Sequence, residues 1–439
     1  MTINVEQDQG WRLLTIVIAC ILVLHSPLIF NPGYLSHDEL QWAFHATEHK
    51  GPAFINNLWV DVHAFQYRPL TFSIWMLLSR RCFDHPFLFH AIIVAMSALN
   101  AGMLSIVLRK AGTSDRAAVM AGLLFGLGPY ATYTHGWVAT LADLIWVFCA
   151  LVIALIAIGT TRRRKIWLAS LIFTCAALFA KESAVVLPAL FLLAWLFDGR
   201  RRAWLDATFF AAVPVIIYLG IRLHTILTGA AADSPYAWQL STVPLNWIKY
   251  QLYPIAIDKF GAAEVRSLFY IVLIWCLLLV SLWKAAPRYA LAFLAFGTAA
   301  LGPVLIVQPA AWYGYALSAV IATVMALSWP HMNKWGRFVT SLFVLLGFLH
   351  SINLMRIIHG AGEKQSRFSP ALAKAVQDGK GKTIALSVEN EKDRWIYIRM
   401  THDIHAYHGV RMDGFVKLVN GNEPADYKVQ ADGSLKYLH

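Results

Sequence analysis

Long apolar runs separated by short basic ones make the pattern of this chain. Residues 145–160 and 166–180 contain no charged side chain. Similar runs fall at about 11–30, 87–108, 117–134, 141–160, 166–180, 183–197, 204–222, 267–283, 289–307, 314–329 and 338–355. Each is near the roughly 20 residues that a helix needs to cross a bilayer. They predict an all-α polytopic membrane domain over 1–355, with about 11 transmembrane helices. The run at 11–30 follows an acidic head that lacks arginine. It has no small-residue cleavage site, so it reads as a retained span rather than a signal peptide.

Basic clusters follow every second run: Arg109, Lys110 and Arg116, then 162–165, 200–202, Lys284 with Arg288, and Lys334 with Arg337. Loops rich in Lys and Arg stay in the cytoplasm. That rule puts 31–86, 135–140, 181–182, 223–266 and 308–313 on the other side, with 31–86 and 223–266 as the large outer loops. The apolar stretch 70–78 is too short to cross and is flanked by Arg68, Arg80 and Arg81. It reads as a helix in the outer interface, opened by Pro69.

After residue 355 the composition becomes that of a soluble protein, and 356–439 is expected to form a small extracytoplasmic α/β domain. Ser369-Pro370 resembles a helix start, and 383–388 and 395–400 read as strands. Arg356, Lys364 and Arg367 oppose the positive-inside trend, which is weak for long translocated segments. The expected location is the cytoplasmic (inner) membrane, with the site on its periplasmic face. No internal repeat or low-complexity segment is visible.

Composition agrees with this picture. Hydrophobic residues make up 58% of the chain and charged ones 14%, well below the quarter or so of a soluble domain. The net charge of +12 lies in the inter-helix clusters, so it reports membrane topology and no nucleic-acid partner is expected. Four of the five cysteines lie inside apolar runs, which gives no disulfide framework.

Candidate chemistry is concentrated in the predicted outer loops. Ser36-His37-Asp38-Glu39 sets two carboxylates at the membrane face, where a carboxylate can take a proton from an acceptor hydroxyl. Tyr67-Arg68-Pro69 holds Arg68 extended before the interfacial helix, and its planar fork of donors suits a lipid phosphate. Lys181-Glu182 tops a hairpin whose arms are short for a bilayer, so both charges are expected slightly below the interface, beside a polar cavity. His37, Asp143 and Tyr313 are expected at the rim of the same cavity. Trp312, Tyr313 and the aromatics between Trp238 and Tyr253 fit either sugar stacking or an interface belt. His402, His405 and His408 recur every three residues, but without a cysteine partner they assign no metal.

Together, the acidic pair after the first span, Arg68-Pro69-Leu70, and the turn Ala180-Lys181-Glu182-Ser183-Ala184 resemble the GT-C membrane glycosyltransferases. The resemblance is to the protein O-mannosyltransferase-like group, including the TPR-tailed transmembrane mannosyltransferases and their bacterial relatives. It covers roughly 10–330. It implies Asp38 as catalytic base with Glu39 beside it, and Arg68, Lys181 and Glu182 around a polyprenyl-phosphate sugar donor. Pro129, Trp137 and Asp143 match the spacing of a family segment, but Tyr133 stands where that segment often has Glu. The TPR tail is replaced by 361–439. The implied reaction is inverting transfer of the sugar to a hydroxyl of a glycan, lipid or protein, with no certain cofactor and a divalent metal left open. The competing classes are a transporter or flippase of the lipid-linked sugar, a polymerase or ligase of envelope polysaccharide, and a non-catalytic envelope scaffold. A transporter is expected to show repeated halves with paired broken helices, which the sequence lacks.

Overall fold

The computed structural model describes residues 3–48, 52–199, 201–228, 234, 236–401, 404–420 and 423–438. The described chain is mostly helical. Its first half contains α1 (Ile3–Leu24), α2 (Ser26–Ile29), α3 (His37–Glu48), α4 (Pro52–Val60), α5 (Pro69–Cys82), α6 (Pro86–Lys110), α7 (Asp115–Leu127), α8 (Pro129–Gly136) and α9 (Leu141–Gly159). The second half contains α10 (Arg163–Ala180), α11 (Leu187–Phe197), α12 (Arg202–Thr228), α13 (Val243–Leu252), α14 (Phe269–Ala285), α15 (Pro287–Leu301), α16 (Tyr315–Ser328), α17 (Lys334–Asp378) and α18 (Arg394–Thr401).

Local chemistry sets many of these boundaries. Proline opens α5, α6, α8 and α15 at the position where a missing N–H is harmless. Ser114 caps α7 by accepting from the Ala117 N–H, and Asn333 caps α17 by accepting from the Gly336 N–H at 2.8 Å. At the centre, α6 packs against α1, α7 and α9, while α10 bridges α9 and α12.

Among the described residues, six segments can cross a membrane by length and composition: Pro86–Lys110, Val138–Gly159, Arg202–Thr228, Pro287–Ile306, Ala311–His331 and Lys334–Asp378. The chain is therefore a helical membrane protein, but the expected 11 crossings are not reproduced. The other apolar runs are helical and fall short for identifiable reasons. Gly10–Leu24, Glu182–Phe197 and Phe269–Ala285 are shorter apolar helices. The run at 117–134 breaks at Gly128-Pro129, leaving α7 with 13 residues, about 20 Å of helix. The first three residues of α10 are basic.

The tail departs from expectation in two places. Pro370 lies inside α17 rather than opening a new helix, and this 45-residue helix runs unbroken from the last apolar run into the tail, about 68 Å in all. Residues 394–401 are helix α18, not a strand. Their aromatic and β-branched residues suggest a strand, yet Ile396, Tyr397 and Met400 form one buried helical stripe, with the Tyr397 ring 4.9 Å from Phe368 of α17. Packing overrides local propensity here. The strand expected at 383–388 is present as β1 (Ile384–Val388). With β4 (Val416–Leu418), β5 (Tyr427–Val429) and β6 (Leu435–Tyr437) it forms a sheet of order β4-β1-β5-β6, in which only β5 and β6 are antiparallel. A hairpin of β2 (Ala406–Tyr407) and β3 (Val410–Arg411) stands apart from it.

Candidate functional site

The segment that leads into α3 is threaded tightly against α17. The Asn31 side chain donates to the Ile358 carbonyl at 3.2 Å, and the Tyr34 N–H donates to Gln365 at 2.9 Å. A Cβ on Gly33 would lie 2.2 Å from the Gly362 carbonyl oxygen, so only glycine permits this approach. His90 fixes the same turn through the Gly33 carbonyl at 2.9 Å.

This anchoring puts Asp38 and Glu39 in the first turn of α3, where the helix dipole favours carboxylates. Their environments differ. Asp38 is part-exposed, accepts from the Ser36 hydroxyl at 3.1 Å and lies 3.8 Å from His37. Glu39 is fully buried, and one of its oxygens accepts from the Val138 N–H at 3.3 Å. Burial first, then the charge of Asp38, pushes the Glu39 carboxyl well above its usual range.

The second group of charges converges from three separate stretches of chain. The Thr71 hydroxyl donates to the Ala180 carbonyl at 2.9 Å, tying the start of α5 to the end of α10. Arg68, just before α5, grips Glu182 with two donors, one of them Nε at 2.7 Å. Burial disfavours the Arg68 charge, but Glu182 outweighs it, and the guanidinium stays protonated. Lys181, extended at the end of α10, donates to Asp143 in the first turn of α9 at 2.5 Å. Lys181 also lies 4.6 Å from the centre of the Tyr313 ring. Arg68 is within electrostatic range of both Lys181 and Asp143.

This arrangement corrects one expectation: Lys181, expected beside a polar cavity, is buried on Asp143, and only Glu182 of the two reaches a cavity. The Lys181 and Asp143 side chains are only 2% and 5% exposed, whereas Glu182 is 45% exposed. An extended residue at 181 followed by a 3-10 turn sends the two neighbouring side chains to different partners.

Glu182 lines a cavity of about 330 Å³ together with Ser183, Tyr218, Arg222, Tyr236 and Tyr313, and Leu219, Ile226 and Val304 form part of its apolar wall. Arg222 is the cation that sequence reading passed over, because an arginine ending an apolar run resembles one that snorkels to the interface. It is buried and turned inward, donating to the carbonyls of Val62, Ala64 (2.6 Å) and Phe65 (2.9 Å). Tyr67, expected at the donor, has its hydroxyl committed to the Trp59 carbonyl at 2.8 Å, and its ring lies under Arg222.

An aromatic wall joins the two groups of charges. Trp137 and Trp312 meet at 4.4 Å between ring centroids, Tyr133 lies 5.8 Å from Trp312, and Trp312 is followed by Tyr313 over Lys181. Arg399, in α18 of the tail, lies 5.4 Å above Trp137 and within electrostatic range of Glu39 and Tyr133. Nothing in the tail sequence marked this residue. Glu39 Oε2, Trp137 Nε1 and Arg399 Nη1 are all buried without a hydrogen-bond partner among the described residues. Buried polar atoms are rarely left so.

The remaining candidates separate. Tyr250 and Tyr253 are fully buried and bonded to backbone, so neither offers a face for a sugar, while Trp238 stays exposed at the cavity mouth. His402 lies outside the described residues, and His405 and His408 face Asp413 and Asp84 respectively. Among the described residues, no group of three His, Cys, Asp or Glu could hold a metal ion. No family model matches the chain, and no curated protein or solved structure matches it.

Proposed function

We propose that the protein is a membrane glycosyltransferase of GT-C type that moves a sugar from a polyprenyl-phosphate donor to a hydroxyl acceptor on the non-cytoplasmic face of the membrane. The observation that carries this reading is the convergence of Arg68, Asp143, Lys181 and Glu182 at the edge of a cavity in a helical membrane protein. Buried ionisable groups at membrane depth mark substrate paths more often than structural ties. In this reading the six long helices and the shorter apolar ones form the membrane domain, and the segments bearing α3, α5 and the tail lie outside the cytoplasm.

The proposed reaction is a single displacement. Asp38 takes the proton of the acceptor hydroxyl, the acceptor oxygen bonds to the anomeric carbon, and the bond from that carbon to the phosphate oxygen breaks. The configuration inverts, and the leaving group departs as the lipid phosphate anion, so no general acid is needed. Arg68 lies next to the cavity-lining Glu182, and its guanidinium is suited to the phosphate if Glu182 yields one of the two donors. Lys181, paired with Asp143, supports the cluster from beneath.

The test is release of free polyprenyl phosphate by purified protein given polyprenyl-phosphate hexose and a hydroxyl acceptor. Asp38→Asn should lower turnover by roughly 10²–10⁴-fold with donor binding kept, the usual worth of a general base. Arg68→Lys keeps the charge, loses the two-pronged donor and should also impair release. Unchanged turnover in Asp38→Asn would remove Asp38 as the base.

A further inference from the structure

A cleft of about 920 Å³ separates α3 and the end of α5 from the β2–β3 hairpin of the tail. It begins at Leu40, two residues beyond Asp38 in the chain, and extends along α3 to Glu48. It is distinct from the cavity at Glu182, with which it shares no lining residue.

The lining narrows the class of occupant. Phe44 on α3, Phe83 after α5 and Tyr407 on β2 line both walls with aromatic rings, one face of Phe83 being stacked on Tyr34. Between them, Glu48, Asp84 and Asp413 stand against Arg80 and Arg411, three carboxylates to two guanidiniums. That balance gives no cationic field for a phosphate or an acidic polymer. Two carboxylates already face histidines, Asp84 at 3.7 Å from His408 and Asp413 at 3.8 Å from His405. Arg80, Arg411 and Glu48 have no ion pair among the described residues. A lipid chain would need a lining free of charge, whereas five carboxylates and guanidiniums stand among the apolar residues of this cleft. Aromatic faces interleaved with planar charged groups fit a neutral polyhydroxylated molecule, whose C–H faces lie on the rings and whose hydroxyls meet carboxylate and guanidinium.

We propose that this cleft binds a neutral oligosaccharide, held between α3 and the tail hairpin. On the transferase reading, that oligosaccharide is the acceptor, and its terminal hydroxyl is led along α3 toward Asp38. On that reading the tail hairpin takes part in selecting the acceptor.

The experiment uses the full chain in detergent micelles on an array of neutral oligosaccharides, acidic oligosaccharides and serine- or threonine-containing peptides, with hits followed by titration calorimetry. The expected result is binding to neutral oligosaccharides, weakened roughly tenfold or more in Arg80→Gln, the loss typical of one charged hydrogen bond. Phe44→Ala should weaken it as well, while Lys374→Gln, exposed on α17 away from the cleft, should bind as the native chain does. Arg80 is exposed, so Arg80→Gln tests binding without threatening the fold. Absence of neutral glycans among the hits, preference for acidic glycans or peptides, or unchanged affinity in Arg80→Gln and Phe44→Ala would each overturn the proposal. Glycan binding without donor cleavage would keep this site and remove the transferase, whereas cleavage without glycan binding would do the reverse.

Discussion

Replacing Lys181 by methionine tests how the buried charges are arranged. The Lys181 and Asp143 side chains are 2% and 5% exposed, so solvent cannot take over the role of either partner. Without the ammonium group at 2.5 Å, the second Asp143 oxygen loses its partner, and the first keeps only the Trp146 indole at 3.4 Å. Stranding one member of a buried pair costs about 3–5 kcal/mol. Lys181→Met should lose that much in equilibrium unfolding by SDS in mixed micelles, followed by helical circular dichroism. The double variant Lys181→Met with Asp143→Asn removes both charges and should recover most of the loss. Arg163→Gln offers a contrast. Its partner Asp206 is buried, but Arg163 is 48% exposed, so solvent screening should keep the loss well below that of Lys181→Met. A Lys181→Met protein as stable as the native one, or a double variant no better than the single, would refute the pairing.

Three further substitutions check packing and protonation. Gly314→Ala should destabilise by about 1–3 kcal/mol in the same unfolding assay, because its Cβ would lie 2.1 Å from the buried Tyr130 ring. Gly220→Ala, in α12 with nothing near the added methyl, should be neutral or stabilising by up to about 1 kcal/mol. The raised Glu39 carboxyl predicts stability that falls as pH rises above its ordinary value of 4.5 toward the folded one, because the native state holds the proton longer. Unfolding midpoints between about pH 5 and pH 8 should therefore slope less in Glu39→Gln than in the native protein.

Much of the fold was legible because lipid is a simple solvent. Runs of apolar residues become helices, and each run found in the sequence is helical in the structure. The number able to cross was harder to read, since 117–134 counts as one run although Gly128-Pro129 divides it. The tail misled where aromatic and β-branched residues in 395–400 implied a strand, whereas the segment is a helix packed on α17 and α3, with Tyr397 against Phe368. At the site, the residue types were readable and their partners were not. Arg68, Lys181 and Glu182 stand out as charges among apolar neighbours. That Arg68 holds Glu182 while Lys181 holds Asp143 depends on how α5, α9 and α10 meet. Arg222 and Arg399 carried no local signal, because an arginine at the end of a helix or in a soluble tail is ordinary until its surroundings are known.

The most direct test of the central claim reconstitutes the protein in liposomes loaded with polyprenyl-phosphate hexose and follows the fate of the sugar–phosphate bond. Transfer predicts free polyprenyl phosphate and a glycosylated acceptor, both diminished in Asp38→Asn and Arg68→Lys. Lipid-linked sugar that crosses the membrane uncleaved, at a rate that depends on Arg68, would contradict the account and make the protein a transporter.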